Sequence, residues 1–378
     1  MLRRVSIFLT MLAATGALAN EVPYFDRKTV PDYIARFKVV HTYGRDKTNE
    51  RVVLQHGGWT RVEEGNEGKS VISYGNFSKN LVLRTAKNDE DNAWMSVTQA
   101  DPAKDFFGFT DARELNHVEA VDNEHCRWLE LIRGELEQSK SGPIWRTCLT
   151  GDGIEVATTV LLSNGQPMSQ TRLVELDRKH LSTSAVLPPA DLFDAETWLK
   201  PLHADVKRPS EIADFEVELQ NPTAKLRLMR HYPWWYRERT GKDGSVSALV
   251  WNELADQGIL YSASPGKRQL DARRSQLDPK RPYPKLAGWS GLVRMNERGQ
   301  FLGETCTWYD RMPNVADAGL RHCLTGDGIP LKEIRTSGWG RGEVFEVTKM
   351  VRRPIAMNEI RLDPVLLDPT TWGYIPEN

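Results

Sequence analysis

The chain has 378 residues, enough for two or three domains that each bury a core of their own. Hydrophobic residues make up 40% of the chain and charged residues 27%, which is typical of globular proteins and argues against disorder, a collagen-like fibre or a polytopic membrane protein. The formal net charge of -1 gives no basic excess, so we expect no nucleic-acid partner. The 12 Trp residues and the paired placement of the 4 Cys residues are less ordinary.

Residues 1–19 have the pattern of a secretory signal peptide. Arg3 and Arg4 precede an apolar run that reaches about Gly16, and an Ala-Leu-Ala site then predicts cleavage after Ala19. The apolar run is shorter than the roughly 20 residues that a membrane-spanning helix requires, and no later stretch approaches that length. We therefore expect a soluble protein of the periplasm or the secreted fraction, where disulfides can form.

Beyond the signal peptide, apolar residues alternate with polar ones over short stretches, which predicts β-strands. In chain order, the clearest strand candidates are residues 51–56, 80–85, 155–160, 226–229 and 343–348. Turn signals such as Asn164-Gly165 separate these stretches and favour antiparallel hairpins. Residues 103–115 and 189–198 carry the best patterns for short helices in the first half. The expected fold is mainly β and antiparallel, with a few short helices.

The chain contains one long internal repeat. The sequence Cys-Leu-Thr-Gly-Asp-Gly-Ile occurs at residues 148–154 and again at residues 323–329, an offset of 175 residues. Further matches follow in the same order: Cys126 and Trp128 with Cys306 and Trp308, His56 and Trp59 with His231 and Trp234, residues 34–37 with residues 212–215, and Trp198 with Trp372. Matches in one order along both halves predict a tandem duplication.

The duplication sets the expected domain organisation. We predict one β domain at residues 20–199 and a second at residues 210–378. The stretch between them, residues 200–209, is polar, contains two prolines and has no apolar periodicity, which favours a linker.

The four cysteines allow three disulfide pairings. Since each half contains one pair at equivalent places, the duplication favours Cys126–Cys148 and Cys306–Cys323. Each disulfide would join the strand that carries a Cys-x-Trp sequence to the strand that enters the Gly-Asp-Gly turn. A metal or redox site is the alternative, but the chain has no Cys-x-x-Cys motif and the spacings match no zinc pattern.

Motifs for catalysis, phosphate binding and dinucleotide binding are absent from the sequence, so we expect no catalytic residue, no metal and no cofactor. The duplicated Asp152 and Asp327 are the candidate catalytic carboxylates, but Asp in a Gly-Asp-Gly turn is explained by the turn itself. His56 and His231 are the only histidines that the duplication retains. A packed, hydrogen-bonded role is favoured for both histidines over a ligand role.

Two sets of residues lack an equivalent in the other half and are therefore candidates for binding. Four tryptophans are candidate ligand contacts: Trp94, Trp235, Trp251 and Trp289. Seven basic residues within residues 267–285 are a candidate docking patch: Lys267, Arg268, Arg273, Arg274, Lys280, Arg281 and Lys285. A solvated loop is the simpler interpretation of the basic residues. The sharper interpretation is a docking patch for anionic lipid head groups, lipopolysaccharide or an acidic partner.

The order of the duplicated motif resembles a set of periplasmic β domains that are related in outline to the outer-membrane lipoprotein-carrier (LolA-like) superfamily. The residues that carry the resemblance are Cys126, Trp128, Cys148, Asp152, Gly153, Leu187 and Pro188 in the first half, and Gly303, Cys306, Trp308, Cys323, Asp327, Gly328, Leu362 and Pro364 in the second. The resemblance implies two tandem half-barrels, each an antiparallel sheet curved around an apolar cavity with helices as a lid. It also implies acyl-chain or lipoprotein binding, and two such modules resemble envelope-stress regulators.

Three functions follow from these observations. The leading hypothesis is a non-enzymatic periplasmic binding protein in envelope homeostasis, whose partner is a lipid, a lipoprotein acyl chain or another envelope component. The second is a Trp-rich module that binds polysaccharide or peptidoglycan through stacked aromatic rings. The third is a hydrolase with an unrecognised site. The oligomeric state does not follow from the sequence.

Overall fold

The computed structural model describes residues 30–42, 47–66, 69–76, 79–87, 93–100, 109–133, 142–199, 213–253, 257–274, 292–311, 318–337 and 342–374. Within these residues, the first half contains eleven strands: β1 (Tyr33–His41), β2 (Lys47–His56), β3 (Trp59–Asn66), β4 (Lys69–Asn76), β5 (Leu81–Lys87), β6 (Ala93–Ala100), β7 (Phe109–Val121), β8 (Glu124–Arg133), β9 (Ile144–Thr150), β10 (Glu155–Leu161) and β11 (Pro167–Asp177).

The described part of the second half repeats this series with eleven more strands. They are β12 (Phe215–Gln220), β13 (Ala224–His231), β14 (Trp234–Gly241), β15 (Val246–Asn252), β16 (Gln257–Ser264), β17 (Lys267–Arg274), β18 (Val293–Phe301), β19 (Glu304–Asp310), β20 (Ala318–Leu324), β21 (Pro330–Ser337) and β22 (Glu343–Arg352). The predicted mainly β, antiparallel fold with few short helices is confirmed.

A short helical segment ends each half. The first segment contains α1 (Thr183–Val186), a 3₁₀ turn (Ala190–Phe193) and α2 (Ala195–Leu199). The second contains three 3₁₀ turns (Met357–Glu359, Pro364–Leu367 and Pro369–Trp372). We call residues 183–199 the first cap and residues 357–374 the second cap. Within the described part of the chain, no helix is long and apolar enough to cross a bilayer.

The 22 described strands belong to one open antiparallel sheet. Their spatial order is β7-β8-β9-β10-β11-β1-β2-β3-β4-β5-β6, followed by β17-β16-β15-β14-β13-β12-β22-β21-β20-β19-β18. Each half has the same order, and the halves meet where β6 pairs with its equivalent, β17. In that pair, Val97 lies opposite Leu270 and Met95 lies opposite Ala272.

The buried apolar residues form three main clusters. A flanking core fills each half separately, around Phe37 and Ile154 in the first half and around Phe215 and Phe345 in the second. A central core takes residues from both halves, since it combines one face of β3–β6 and β14–β17 with the two caps. Successive side chains of a strand point to opposite faces, so Trp234 lies in the central core while Trp235 lies in the second flanking core.

The two disulfides lie in the flanking cores, one in each half. Cys126 on β8 joins Cys148 on β9, and Cys306 on β19 joins Cys323 on β20, with Cα–Cα distances of 5.4 and 5.3 Å. This is the pairing that the duplication predicts. In the chain-entropy model, a loop of this size contributes about 3 kcal/mol to the free energy of unfolding.

Several local predictions can be compared with the structure directly. Each of the five predicted strands overlaps an observed one, and the expected helical segment at residues 189–198 is observed as a 3₁₀ turn (Ala190–Phe193) followed by α2 (Ala195–Leu199). The predicted helix at residues 103–115 is wrong over residues 109–115, because these residues belong to β7, which pairs with β8 in a long hairpin. Residues 103–108, the signal peptide and the linker lie outside the described residues. The domain boundaries at residues 20–199 and 210–378 stay a prediction.

We expect the two halves to unfold together in one cooperative transition. Neither half can expose its part of the central core without also exposing the other half's part, so the apolar burial of both is lost at once. Urea unfolding of the mature protein, followed by far-ultraviolet circular dichroism and by Trp fluorescence, should give coincident midpoints. Two separated transitions would show that the halves are energetically independent.

Candidate functional site

The caps cover the apolar face that the two halves build together, and this covered region is the candidate binding site. Trp59 on β3 and Trp234 on β14 line the sheet side and are 2% and 3% exposed. Trp198 and Trp372 line the cap side and are 1% and 0% exposed. A Trp side chain buries on the order of 200 Å², so these four rings account for much of the apolar surface that holds the caps in place.

Each cap is organised by its own tryptophan. The indole Nε1 of Trp198 donates to the carbonyl oxygen of Leu192 at 2.8 Å, and that of Trp372 donates to the carbonyl oxygen of Leu366 at 2.8 Å. The indole hydrogen bond is therefore satisfied inside the cap, while the ring is buried against the sheet. Because the caps are too short to be stable as isolated helices, packing of these rings against the sheet determines whether they form.

The caps also cross from one half to the other. In the first cap, the carbonyl oxygen of Trp198 accepts a hydrogen bond from Gln257 Nε2 of β16 at 2.8 Å. In the second cap, the carbonyl oxygen of Gly373 accepts one from Lys79 Nζ at 3.1 Å. The Tyr374 ring lies 5.2 Å from the Trp59 ring of β3. Each cap is thus held by residues of the opposite half.

Part of the predicted docking patch holds these caps. Arg268 and Arg274 point to the same face of β17 as the buried Leu270. Arg268 Nη2 donates to the carbonyl oxygen of Thr371 in the second cap, and its guanidinium carbon lies 4.7 Å from the centroid of the Trp372 ring. Arg274 Nη1 donates to the carbonyl oxygen of Thr197 in the first cap at 3.1 Å.

The two accepting carbonyls are equivalent, since each belongs to the residue before a cap tryptophan. Arg268 and Arg274 therefore act on matching points of the two caps and have structural partners. Lys267 and Arg273 are exposed, and a docking role for them stays a prediction. The remaining patch residues, Lys280, Arg281 and Lys285, lie outside the described residues.

The candidate ligand-contact tryptophans do not form an exposed row. Trp235 is 0% exposed, so it is not a surface contact; its Nε1 donates to Glu253 Oε2 at 2.7 Å. The Trp251 ring stacks on Trp235 with the ring centroids 5.3 Å apart. Trp94 is half-buried and lies apart on β6. Trp289 lies outside the described residues.

The duplicated Gly-Asp-Gly turns connect β9 to β10 and β20 to β21. In the first turn, Thr150 Oγ1 donates to Asp152 Oδ1, and the backbone N–H of Gly153, at φ 83°, donates to the carbonyl oxygen of Thr150. Arg178 then joins the turn to β8: its Nε donates to Asp152 Oδ2 at 2.9 Å and its Nη1 donates to Glu124 Oε1 at 2.6 Å.

The second half has the same ionic arrangement. Arg352 Nε donates to Asp327 Oδ2 at 2.7 Å, and Arg352 Nη1 donates to Glu304 Oε1 at 2.9 Å. Burial raises the pKa of Asp152 and of Asp327, but hydrogen bonds from the arginine and from the turn threonine outweigh it, so both pKa values lie below the ordinary value. A carboxylate that stays ionised and is engaged by an arginine is suited to holding a turn.

Both duplicated histidines bind an aspartate. His56 Nδ1 lies 2.8 Å from Asp32 Oδ2, and His231 Nδ1 lies 2.9 Å from Asp214 Oδ2. Asp32 directly precedes β1 and Asp214 directly precedes β12. The predicted match of residues 34–37 with residues 212–215 is therefore shifted by four residues, because Tyr33 and Phe215 are the equivalent first residues of these strands.

A backbone group completes each Asp–His pair. The N–H of Leu181 donates to Asp32 Oδ2 at 3.0 Å, and the N–H of Ile355 donates to Asp214 Oδ2 at 3.0 Å. Burial raises the pKa of Asp32, but the hydrogen bonds from Leu181 and His56 outweigh it and the pKa lies below its ordinary value. Each Asp–His pair connects the start of one strand (β1 or β12), the end of the next strand (β2 or β13) and the segment that leads into the cap. This supports the predicted structural role of both histidines.

No family model matches the sequence, and no curated protein matches it either. Among solved structures, the chain is similar to the crystal structure of MucB, with 12% identity and a TM-score of 0.28 over 68% of this chain and 90% of that one. It is also similar to PNGF-II, with 9% identity and a TM-score of 0.30 over 85% and 92% of the two chains. A DUF1329 family protein from Desulfovibrio piger gives 10% identity and a TM-score of 0.18 over 68% and 89%. Likenesses this distant transfer no function to the chain.

We expect Arg178→Gln to lower the free energy of unfolding by about 1 kcal/mol at pH 7, a modest effect because the ion pair is partly exposed to solvent. The pKa values of Asp152 and Glu124 are lowered in the folded state, so their contribution is complete above about pH 5 and is lost as the pH falls through the lowered values. The difference in the free energy of unfolding between the variant and the wild-type protein should therefore disappear at low pH. Urea denaturation at low salt from pH 7 to pH 3 measures this.

Lys179→Gln is the matched control for that experiment, since the pair of Lys179 with Asp177 is exposed to solvent. Its effect should stay near zero at every pH. A deficit of Arg178→Gln that does not change with pH would contradict the proposed role of the ion pairs.

We expect the two cap-binding arginines to act separately. Arg274→Ala should speed amide hydrogen exchange in the first cap by roughly tenfold, and Arg268→Ala should do the same in the second cap, because each removes a charged hydrogen bond worth about 1.5 kcal/mol. Lys267→Ala, an exposed position on the same strand, is the control and should change neither cap. Faster exchange in the wrong cap, or in both caps alike, would contradict this assignment.

Proposed function

We propose that the protein is an exported, non-catalytic binding protein whose ligand is an acyl chain of a lipid or lipoprotein, taken up between the sheet and the caps. The observation that carries this proposal is the central core, a broad apolar face built by eight strands and covered by two short helical segments. The resemblance of the duplicated motif to lipoprotein-carrier domains supports the same ligand class.

The construction of the caps supports uptake at this place. Helical segments of four or five residues have little stability of their own, and elements of low local stability are the ones that open for ligands. The sheet beneath them is continuous and hydrogen-bonded on both sides of the β6–β17 pair. An acyl chain that displaced a cap would therefore exchange one set of apolar contacts for another while the sheet stayed intact.

The remaining features fit a binding protein better than an enzyme. The duplicated Asp152 and Asp327 each accept hydrogen bonds from the threonine of their own turn and from an arginine outside it. Disulfides in both halves support an oxidising compartment outside the cytoplasm, in agreement with the predicted signal peptide. The alternative of a sugar-binding aromatic surface loses support from the burial of Trp235.

The proposal is tested with a fluorescent fatty acid added to delipidated mature protein, and by native mass spectrometry of protein purified from the periplasm. We expect saturable binding, a change in Trp emission and co-purified acyl lipid. Arg274→Ala should raise the apparent affinity by up to about tenfold over Lys267→Ala, because a loosened cap increases the fraction of protein that is competent to bind.

Two results would count against the proposal. Absence of fatty-acid binding in both the wild-type protein and Arg274→Ala would exclude an acyl ligand. Equal affinity in Arg274→Ala and Lys267→Ala would show that the acyl chain does not enter beneath the first cap.

A further inference from the structure

Among the residues that the structure describes, one cluster of potential metal ligands lies outside the central core. Asp32, His56 and His180 each offer a ligand atom, and the three atoms lie within 4.8 Å of one another. Asp32 Oδ2 is 2.8 Å from His56 Nδ1 and 3.0 Å from His180 Nδ1. The three residues come from three places in the chain: directly before β1, at the end of β2 and shortly after β11.

From this geometry we infer that Asp32, His56 and His180 form a binding site for one Zn²⁺ ion or a chemically similar divalent transition-metal ion. Two imidazole nitrogens and one carboxylate oxygen are ligands that Zn²⁺ prefers, at about 2.0–2.2 Å. Tetrahedral coordination at those bond lengths separates the ligand atoms by roughly 3.3 Å. The two distances from Asp32 are a few tenths of an ångström shorter, and the two histidine nitrogens lie within 4.8 Å of each other, so small side-chain movements would admit the ion.

Two of the three ligands are already held in position. The N–H of Leu181 donates to Asp32 Oδ2 at 3.0 Å, and Thr183 Oγ1 lies 3.3 Å from His56 Nε2, the ring nitrogen that points away from the cluster. Such contacts from outside the coordination sphere fix the ring and select the nitrogen that binds metal. The His180 side chain is 87% exposed, which leaves the remaining coordination positions open to water or to a further ligand.

The second half shows that the fold does not need the third ligand. Asp214, His231 and the N–H of Ile355 reproduce the Asp–His pair with its backbone donor. Pro354 precedes Ile355 at the position where His180 precedes Leu181. Tying the strands together therefore requires only the Asp–His pair, and His180 adds an imidazole that only the first half possesses.

Metal binding would also connect distant parts of the chain. His180 lies three residues before α1. An ion held by all three ligands would therefore connect the segment that precedes the first cap to the start of β1 and the end of β2. Since the ion would bind the folded state and not the unfolded chain, it would also raise the free energy of unfolding. This inference does not depend on the proposed acyl ligand.

The test is calorimetric titration of untagged, chelator-treated mature protein with Zn²⁺, together with Co²⁺ absorption spectroscopy. We expect one Zn²⁺ per chain and a visible Co²⁺ spectrum typical of a four-coordinate site. His180→Ala should weaken Zn²⁺ binding by at least about tenfold and abolish the Co²⁺ spectrum. Because His180 is exposed, this variant should fold, and its circular dichroism should match the wild-type protein.

His125→Ala is the matched control, since His125 is an exposed histidine of the same half outside the cluster, and it should bind Zn²⁺ like the wild-type protein. Pro354→His should add a second, weaker Zn²⁺ site beside Asp214 and His231. Equal Zn²⁺ affinity in His180→Ala and the wild-type protein would overturn the inference, as would the absence of Zn²⁺ binding by the wild-type protein. In either case His180 would serve only as a hydrogen-bond partner of Asp32.

Discussion

The pairing of β6 with β17 is the contact on which the rest of the structure depends. It joins the two halves of a duplicated chain through equivalent strands, so that the eleven strands of each half form a single sheet of 22. Val97 and Leu270 lie opposite each other on the same apolar face, which makes that face continuous across the junction. Neither half alone could bury a face of this width, and the caps of both halves are needed to cover it.

Duplication followed by divergence explains how the other features arose. The disulfides, the Arg-bound Gly-Asp-Gly turns and the Asp–His pairs occur once in each half and hold the fold together. The differences between the halves are where specific functions are expected. Arg268 and Arg274 on β17 hold both caps, and His180 adds a third potential metal ligand in the first half alone.

The sequence predicted the features that are local or repeated. Hairpin strands follow from alternation over a few residues, and the cysteine pairing follows from counting within the repeat. The β6–β17 pair could not be predicted, because it joins strands about 170 residues apart and neither strand carries a signal for its partner. Asp32 was missed because the start of the repeat was matched four residues out of register. The roles of Arg268 and Trp235 depend on the face of the sheet to which each side chain points. The residue types alone did not indicate that face.

The shared sheet is tested most directly by cross-linking across the junction. Ser96 lies directly opposite Asp271 in the β6–β17 pair, and cysteines at directly opposite positions have Cβ atoms about 5 Å apart. Ser96→Cys combined with Asp271→Cys should form an additional intrachain disulfide, detected by non-reducing peptide mapping, while Ser96→Cys combined with Gln269→Cys should form far less. Equal cross-linking of both pairs, or none in either, would contradict the pairing and the shared core that depends on it.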